Sequence, residues 1–196
     1  MRIIVRAMPE RAEFILYLRE KLPQAEFCFD RKRDAMDTFV RAMEMAGDEP
    51  CLHMEEDILL TRNFVDKVSA VIKSRPHEVI QFFSMRKDDV QIGSRYDNNF
   101  IMAQCFYLPA GYSALIADFK QYWSEFDAHP TGVDLMVNDF LRLRKEKYWI
   151  HIPNLVDHRV AKSLIDPRRS SKRQSKTFTD PQLWKYTANK MSTKPR

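Results

Sequence analysis

A chain of 196 residues, 44% hydrophobic and 12% aromatic, is long enough to bury one core and too apolar to be disordered throughout. Its formal net charge of +5 conceals an asymmetry: from Arg159 onward there are 11 Lys/Arg against 2 Asp (+9), which leaves 21 Lys/Arg against 25 Asp/Glu (−4) before it. No apolar run approaches the ~18–20 residues of a bilayer span. The opening "MRIIVRAMPERAEF" is interrupted by Arg6 and is not a secretory signal, and three cysteines with no C-x-x-C pair argue for reduced thiols in a cytoplasm over a disulfide framework or a zinc site.

In chain order, "MRIIVRA" is a β-branched run closed by Pro9 and predicts a strand. "PERAEFILYLREKL" carries Pro at an N1-like position and apolar residues at near-helical spacing, so it predicts a helix. "AEFCFD" is strand-like, and "RDAMDTFVRAMEMAG" repeats apolar residues at i, i+3, i+4 with Gly47 where a C-terminal cap belongs. "PCLHM" is a third strand, followed at once by Glu55, Glu56 and Asp57. "NFVDKVSAVIKSR" reads as a helix, "EVIQFFS" and "IMAQCFYLP" as strands, and "YSALIADFKQYWSEF" and "GVDLMVNDFLRLRKE" as helices separated by the turn-rich "DAHPTG". "KYWIHIPNLVDH" supplies a last strand and loop. Alternation of strands with crossover-length helices predicts an α/β layered, Rossmann-like sandwich with a largely parallel central sheet. Strand C-termini then share one edge, where ligands bind in such folds.

"HMEED" lies at such an end. Residues i and i+2 leaving a strand point the same way, so Glu55 and Asp57 are expected to converge while Glu56 faces away. Two converging carboxylates repel unless cations balance them, and oxygen donors suit Mg²⁺ or Mn²⁺ completed by substrate phosphates. The alternative is a solvated, acidic helix start at "EEDILLTRNF", favoured by the helix dipole.

The pattern of an apolar strand, Glu55-Glu56-Asp57, an apolar pair and then Phe64 resembles the acidic signature of GT-A glycosyltransferases, particularly the lipopolysaccharide-type family 25 enzymes. "HIPNLVDHRVAKSL" resembles that family's closing segment, and residues 1–165 loosely resemble the whole fold. With its tail, the chain is similar to short glycosyltransferases encoded in bacteriophage genomes. The resemblance implies a metal-dependent transferase moving a sugar from a nucleotide-diphosphate donor, a UDP-sugar foremost, to a hydroxyl acceptor. It implies metal ligation by Asp57, His158 and Glu55, although most such motifs have Asp where this chain has Glu55, whose longer side chain could instead bind ribose or reach the ion through water. "MAQCFYLP" and "GVDLMV" match elements lining an acceptor cleft, with Ser84 and Gln104 as lining residues. Asp134 would serve as the carboxylate base on the acceptor hydroxyl, or else only stabilise a helix start.

Around these, Asp30 ends the second strand and could accept from a nucleotide base or ribose, or simply form a turn. Arg6 and Arg11 flank the first strand-to-helix turn and could reach a diphosphate. His53, a lone strand histidine, reads as a core or cleft-wall group. Residues 166–196 read as a basic, Ser-rich, extended arm. Among Lys162 and the cations of the arm, Lys162 and Arg168 or Arg169 are nearest in sequence to the expected metal site at His158 and would meet the diphosphate of the donor. Arg168, Arg169, Lys172, Arg173 and Lys176 would meet phosphate, including that of a DNA acceptor such as a hydroxymethylated base. The competing reading is a non-catalytic nucleic-acid-binding module with a basic arm and a solvated acidic turn.

Overall fold

The computed structural model describes residues 1–90, 93–126, 132–164 and 173–182. Among them the strands are β1 (Arg2–Ala7), β2 (Glu26–Phe29), β3 (Cys51–Glu55), β4 (Ile58–Leu60), β5 (Ile80–Gln81), β6 (Arg95–Asp97), β7 (Cys105–Leu108), β8 (Tyr148–Ile150) and β9 (Val156–His158). The helices are α1 (Ala12–Lys21), α2 (Ala35–Ala46), α3 (Phe64–Ser74), α4 (Tyr112–Phe126) and α5 (Val133–Leu143). Seven strands form one sheet in the order β2-β1-β3-β7-β5-β8-β6, and β4 pairs with β9 in a separate ribbon. β1 is parallel to β2 and β3, and β5 to β8, whereas β7 is antiparallel to both β3 and β5 and β6 to β8. Five of the seven strands therefore point one way, and only β6 and β7 are reversed.

Local chemistry accounts for the crossover helices. Asp34 caps α2 by accepting from the Met36 and Asp37 N–H groups at 3.1 and 2.9 Å. Gly47, at φ 57°, ends it by donating to the Met43 carbonyl at 3.0 Å. Along β3 and β7 the side chains alternate between two apolar faces. Leu52, Met54, Cys105 and Tyr107 join the cluster under α1, while Phe106 and Leu108 join Phe39, Phe100, Val137 and Ile150 opposite. A sheet apolar on both faces must be covered on both, which is the layered sandwich expected. No helix among the described residues is long and apolar enough to cross a membrane.

Four features depart from the expectations. The expected strand over 78–84 is regular only at Ile80–Gln81; beyond it Phe82 bonds to Cys105 and Leu155 along an irregular course. β6 had no alternating apolar signal, because an edge strand buries little. "ILL" after the acids is not a helix start but β4, drawn into strand form by β9 with Ile58 opposite His158. Finally, residues 173–182, expected within an extended arm, pack onto the body. Pro181 bridges Thr61, the Gln182 N–H donates to the Leu60 carbonyl at 2.7 Å, and the Ser175 N–H donates to Asp157 at 2.6 Å. The chain-wide boundary expected at 165 is therefore crossed by hydrogen bonds.

Tyr17 ties α1, β4 and this returning segment together. Fully buried, its hydroxyl accepts the Leu60 N–H at 3.0 Å and donates to the Gln182 carbonyl at 2.8 Å. Tyr17→Phe strands a buried N–H and a carbonyl, and is expected to destabilise the fold by about 1–3 kcal/mol; urea unfolding of the two proteins measures the difference.

Candidate functional site

β1, β2 and β3 end at one edge of the sheet, and the chain entering the reversed β7 starts there. A cavity of about 490 Å³ opens along this edge. Of the residues singled out in the sequence, Arg6, Arg11, Asp30, Glu55, Asp57, Asp134 and Arg173 all line it. These positions span the chain from β1 to the returning C-terminal segment, so only the fold brings them together.

β3 ends at Glu55 and the chain bends at once. The expectation that Glu56 faces away therefore fails: strand alternation stops where the strand does. Glu56 is 6% exposed, lines the cavity and meets Arg11 at 3.1 Å. Arg11 also pairs closely with Asp57 Oδ2 and donates to the Lys162 carbonyl at 2.8 Å. Glu55 faces Arg6 at 3.4 Å instead of Asp57. Arg6 is itself buried, its guanidinium 4.9 Å above the Phe39 ring.

Opposite Asp57 stands His158, its Nε2 3.2 Å from Oδ2. Its Nδ1 lies 2.7 Å from the Arg159 carbonyl, which can only accept, so Nδ1 carries a proton and Nε2 is the nitrogen turned to the site. Arg173 reaches the same Nε2 at 3.3 Å. Burial opposes ionisation of Asp57, but hydrogen bonding to His158 and the charges of His158 and Arg11 outweigh it and hold the carboxyl down at about 2. Glu56 moves the other way: burial, with Asp57's negative charge beside it, pushes it up to about 8 against the opposing pull of Arg11. Burial works against the His158 imidazolium, yet Asp57 raises its pKa above the ordinary value.

The cation implied by the resemblance can be tested on these atoms. Asp57 Oδ1 is buried with no hydrogen-bond partner among the described residues. His158 has the backbone-anchored tautomer that metal-ligating imidazoles use. No group of three His, Cys, Asp or Glu among the described residues is arranged to hold an ion. Asp57 and His158 thus fit as a two-ligand site for a hard cation that takes its other ligands from phosphate and water, while Glu55 pairs with Arg6 and acts on Asp57 and His158 only through its charge.

The remaining candidates fall out as follows. Asp30 is buried, and its Oδ1 accepts the Lys32 and Asp34 N–H groups at 3.0 and 3.1 Å, so it forms the turn while lining the cavity. Asp134, at the start of α5, accepts from the Leu135 and Met102 N–H groups at 3.2 and 3.3 Å. Lys162 offers Arg11 its carbonyl while its own side chain is exposed. Lys176 is exposed, and Arg168, Arg169 and Lys172 lie outside the described residues. His53 is wholly buried, 3.0 Å from Ser113 and stacked on Phe106, and is a core group as expected. Ser84, which was read as a lining residue, is buried against Asp89. Gln81 was missed. Its amide donates to the Ile101 and Met102 carbonyls at 2.8 and 2.6 Å and so shapes the cavity wall. A lone carboxamide inside the apolar run "EVIQFFS" was the available signal.

No protein-family model matches the chain, and no curated protein matches it. Among solved structures, A197 from STIV is similar over 82% of this chain and 87% of its own, with 16% identity and a TM-score of 0.47. The CTP:phosphocholine cytidylyltransferase LicC of Streptococcus pneumoniae is similar over 80% and 72%, with 17% identity and a TM-score of 0.47. A putative glucose-1-phosphate thymidylyltransferase of Bacillus anthracis is similar over 74% and 68%, with 8% identity and a TM-score of 0.41. Likenesses this loose leave the function to the chemistry of the cavity.

Arg11 is the main cation against the buried Asp57 carboxylate and also meets the Glu56 carboxyl. Arg11→Met is expected to cost about 2–3 kcal/mol at neutral pH, below the ~3–5 kcal/mol of a fully enclosed pair because Arg11 borders the cavity. Denaturant unfolding would show it, and an unchanged stability would mean the pair is solvated.

Proposed function

We propose that the protein is a transferase that takes a sugar from a nucleotide-diphosphate donor and places it on a hydroxyl acceptor. The observation that carries this reading is the meeting, in one cavity at the strand C-termini, of three arginines (Arg6, Arg11 and Arg173) with Asp57, whose Oδ2 is paired to the buried His158. Arginines in such number beside carboxylates suit a ligand carrying several phosphate charges. Asp57 Oδ1 and His158 Nε2 would hold Mg²⁺ or Mn²⁺, which when bound would neutralise charge on the departing diphosphate. Arg11, paired with Asp57, and Arg173, beside His158, would hold the phosphates. Asp134 is the proposed base. It takes the proton from the acceptor hydroxyl as that oxygen bonds to the anomeric carbon and the sugar–phosphate bond breaks, its electron pair leaving with the nucleoside diphosphate.

The competing nucleic-acid module is less well supported, because Arg173, one of two members of the basic cluster among the described residues, lines the cavity, while the other, Lys176, is exposed. A DNA acceptor rests on the charge of the C-terminal fifth alone, so the acceptor proposed is a hydroxyl compound in general.

Thermal unfolding with UDP- and other nucleotide-sugars, with and without Mn²⁺, tests the reading. A ligand at ~100 times its Kd adds about 2.7 kcal/mol, which is roughly 5–10 °C for a chain of this size. The expected result is stabilisation that increases with Mn²⁺ and an increment that disappears in Asp57→Asn. Stabilisation by none of the nucleotides, or metal-dependent transfer fully retained by Asp57→Ala, would refute it.

A further inference from the structure

The wall facing the three arginines is built from Ile101 to Gln104, a stretch with no regular secondary structure. Met102 sits at φ 82°, a conformation that non-glycine residues rarely adopt. All four carbonyls of this stretch are nevertheless held. Gln81 Nε2 donates to those of Ile101 and Met102, Arg6 donates to that of Ala103, and the Glu55 N–H donates to that of Gln104 at 2.9 Å. Asp134 accepts the Met102 N–H. The surrounding groups thus hold an unfavourable backbone in place, a pattern that backbone strain follows at ligand sites.

What this wall presents is the carboxamide of Gln104. The residue is 5% exposed and lines the cavity. Its Oε1 is buried with no hydrogen-bond partner among the described residues. A polar atom this deep normally has a partner, and leaving one unmet is costly. An unmet carbonyl oxygen on a residue that borders the cavity needs a partner, and a ligand entering the cavity can supply one.

The place of Gln104 along the sheet edge says which part of the ligand that is. In the order β2-β1-β3-β7, Asp30 follows β2, Asp57 follows β3 and Gln104 precedes β7. Three strand spacings, about 14 Å, separate the two ends. With the phosphates at Asp57 and Arg11, the nucleoside extends toward Asp30 and the transferred group toward Gln104. There Asp134 is a second acceptor, and Met85, Ile101 and Val133 are apolar. A neutral carboxamide and a carboxylate beside apolar side chains suit the hydroxyls and C–H faces of a sugar, and the carboxylate disfavours another phosphate there.

We infer that Gln104 is a specificity-determining residue that hydrogen-bonds a hydroxyl of the transferred sugar, on a wall positioned by Gln81. This deepens the proposed function and rests on it. Binding of a nucleoside diphosphate and of the matching nucleotide-sugar is compared by calorimetry, with Mn²⁺, for the wild type, Gln104→Met and Gln104→Ala. The smaller side chain guards against overpacking in the first variant. Both variants are expected to bind the nucleoside diphosphate as the wild type does and the nucleotide-sugar about tenfold more weakly, the loss of one neutral hydrogen bond. A deoxy-sugar donor lacking the recognised hydroxyl should bind the wild type and both variants alike. Equal affinity of wild type and variants for every hydroxylated donor overturns the inference while leaving the transferase reading intact. Weakened binding of the nucleoside diphosphate itself would place Gln104 on the nucleotide and also overturn it. A wild type that binds no nucleotide overturns both.

Discussion

The carboxylate of Asp57 is where three segments far apart in sequence have to meet. Left alone in a partly dry cleft it would repel Glu55 and Glu56, so the fold brings Arg11 from the first strand-to-helix turn and His158 from the end of β9. Each contact has a backbone consequence. Arg11 also holds the Lys162 carbonyl, which draws the chain after β9 over the cavity. The β4–β9 ribbon sets Ile58 opposite His158, and that register places the imidazole on Asp57. The Asp57 carbonyl in turn accepts the Arg159 N–H at 2.7 Å. Charge compensation and chain path are therefore one constraint, and the cavity is what they enclose.

Two kinds of chemistry are separated along that cavity. Near Asp57 the side chains are charged and mutually compensating, suited to a ligand that exchanges one ion pair for another. Beyond Glu55 the irregular wall from Ile101 to Gln104 is neutral and pinned at every carbonyl. Groups held this way need no reorganisation when a ligand arrives, which is the condition under which polar contacts contribute most. Arg6 spans the two regions, because it balances Glu55 on one side and holds the Ala103 carbonyl on the other.

Much of the framework was legible. β1, β2, β3 and all five helices fall within a few residues of their expected bounds, since each is encoded by local pattern: the β-branched run of "RIIV", the Asp34 cap, the Gly47 stop. Arg6, Arg11, Asp30, Glu55 and Asp57 could be assigned to one edge because parallel strands with crossover helices must end together. Glu56 was misplaced because the alternation rule was carried one residue past the end of β3, where the chain bends to meet β9. β4 escaped notice for the same reason, as a three-residue strand exists only through a partner about 100 residues away. The packing of residues 173–182 depends on Tyr17, Leu60, Thr61 and Asp157, and nothing within that Ser-rich, basic segment announces such partners.

The sequence by itself determined the layered α/β architecture, the apolar faces of its sheet, and the placing of the acids at a strand end, because periodicity and capping act over a few residues. Only the tertiary structure decided which carboxylate faces which cation. It turned Glu55 to Arg6, gave Asp57 to Arg11 and His158, brought Glu56 inward, and left Gln104 Oε1 without a partner among the described residues. Those outcomes follow from burial and from charge compensation between segments up to the length of the domain apart, which no local pattern encodes.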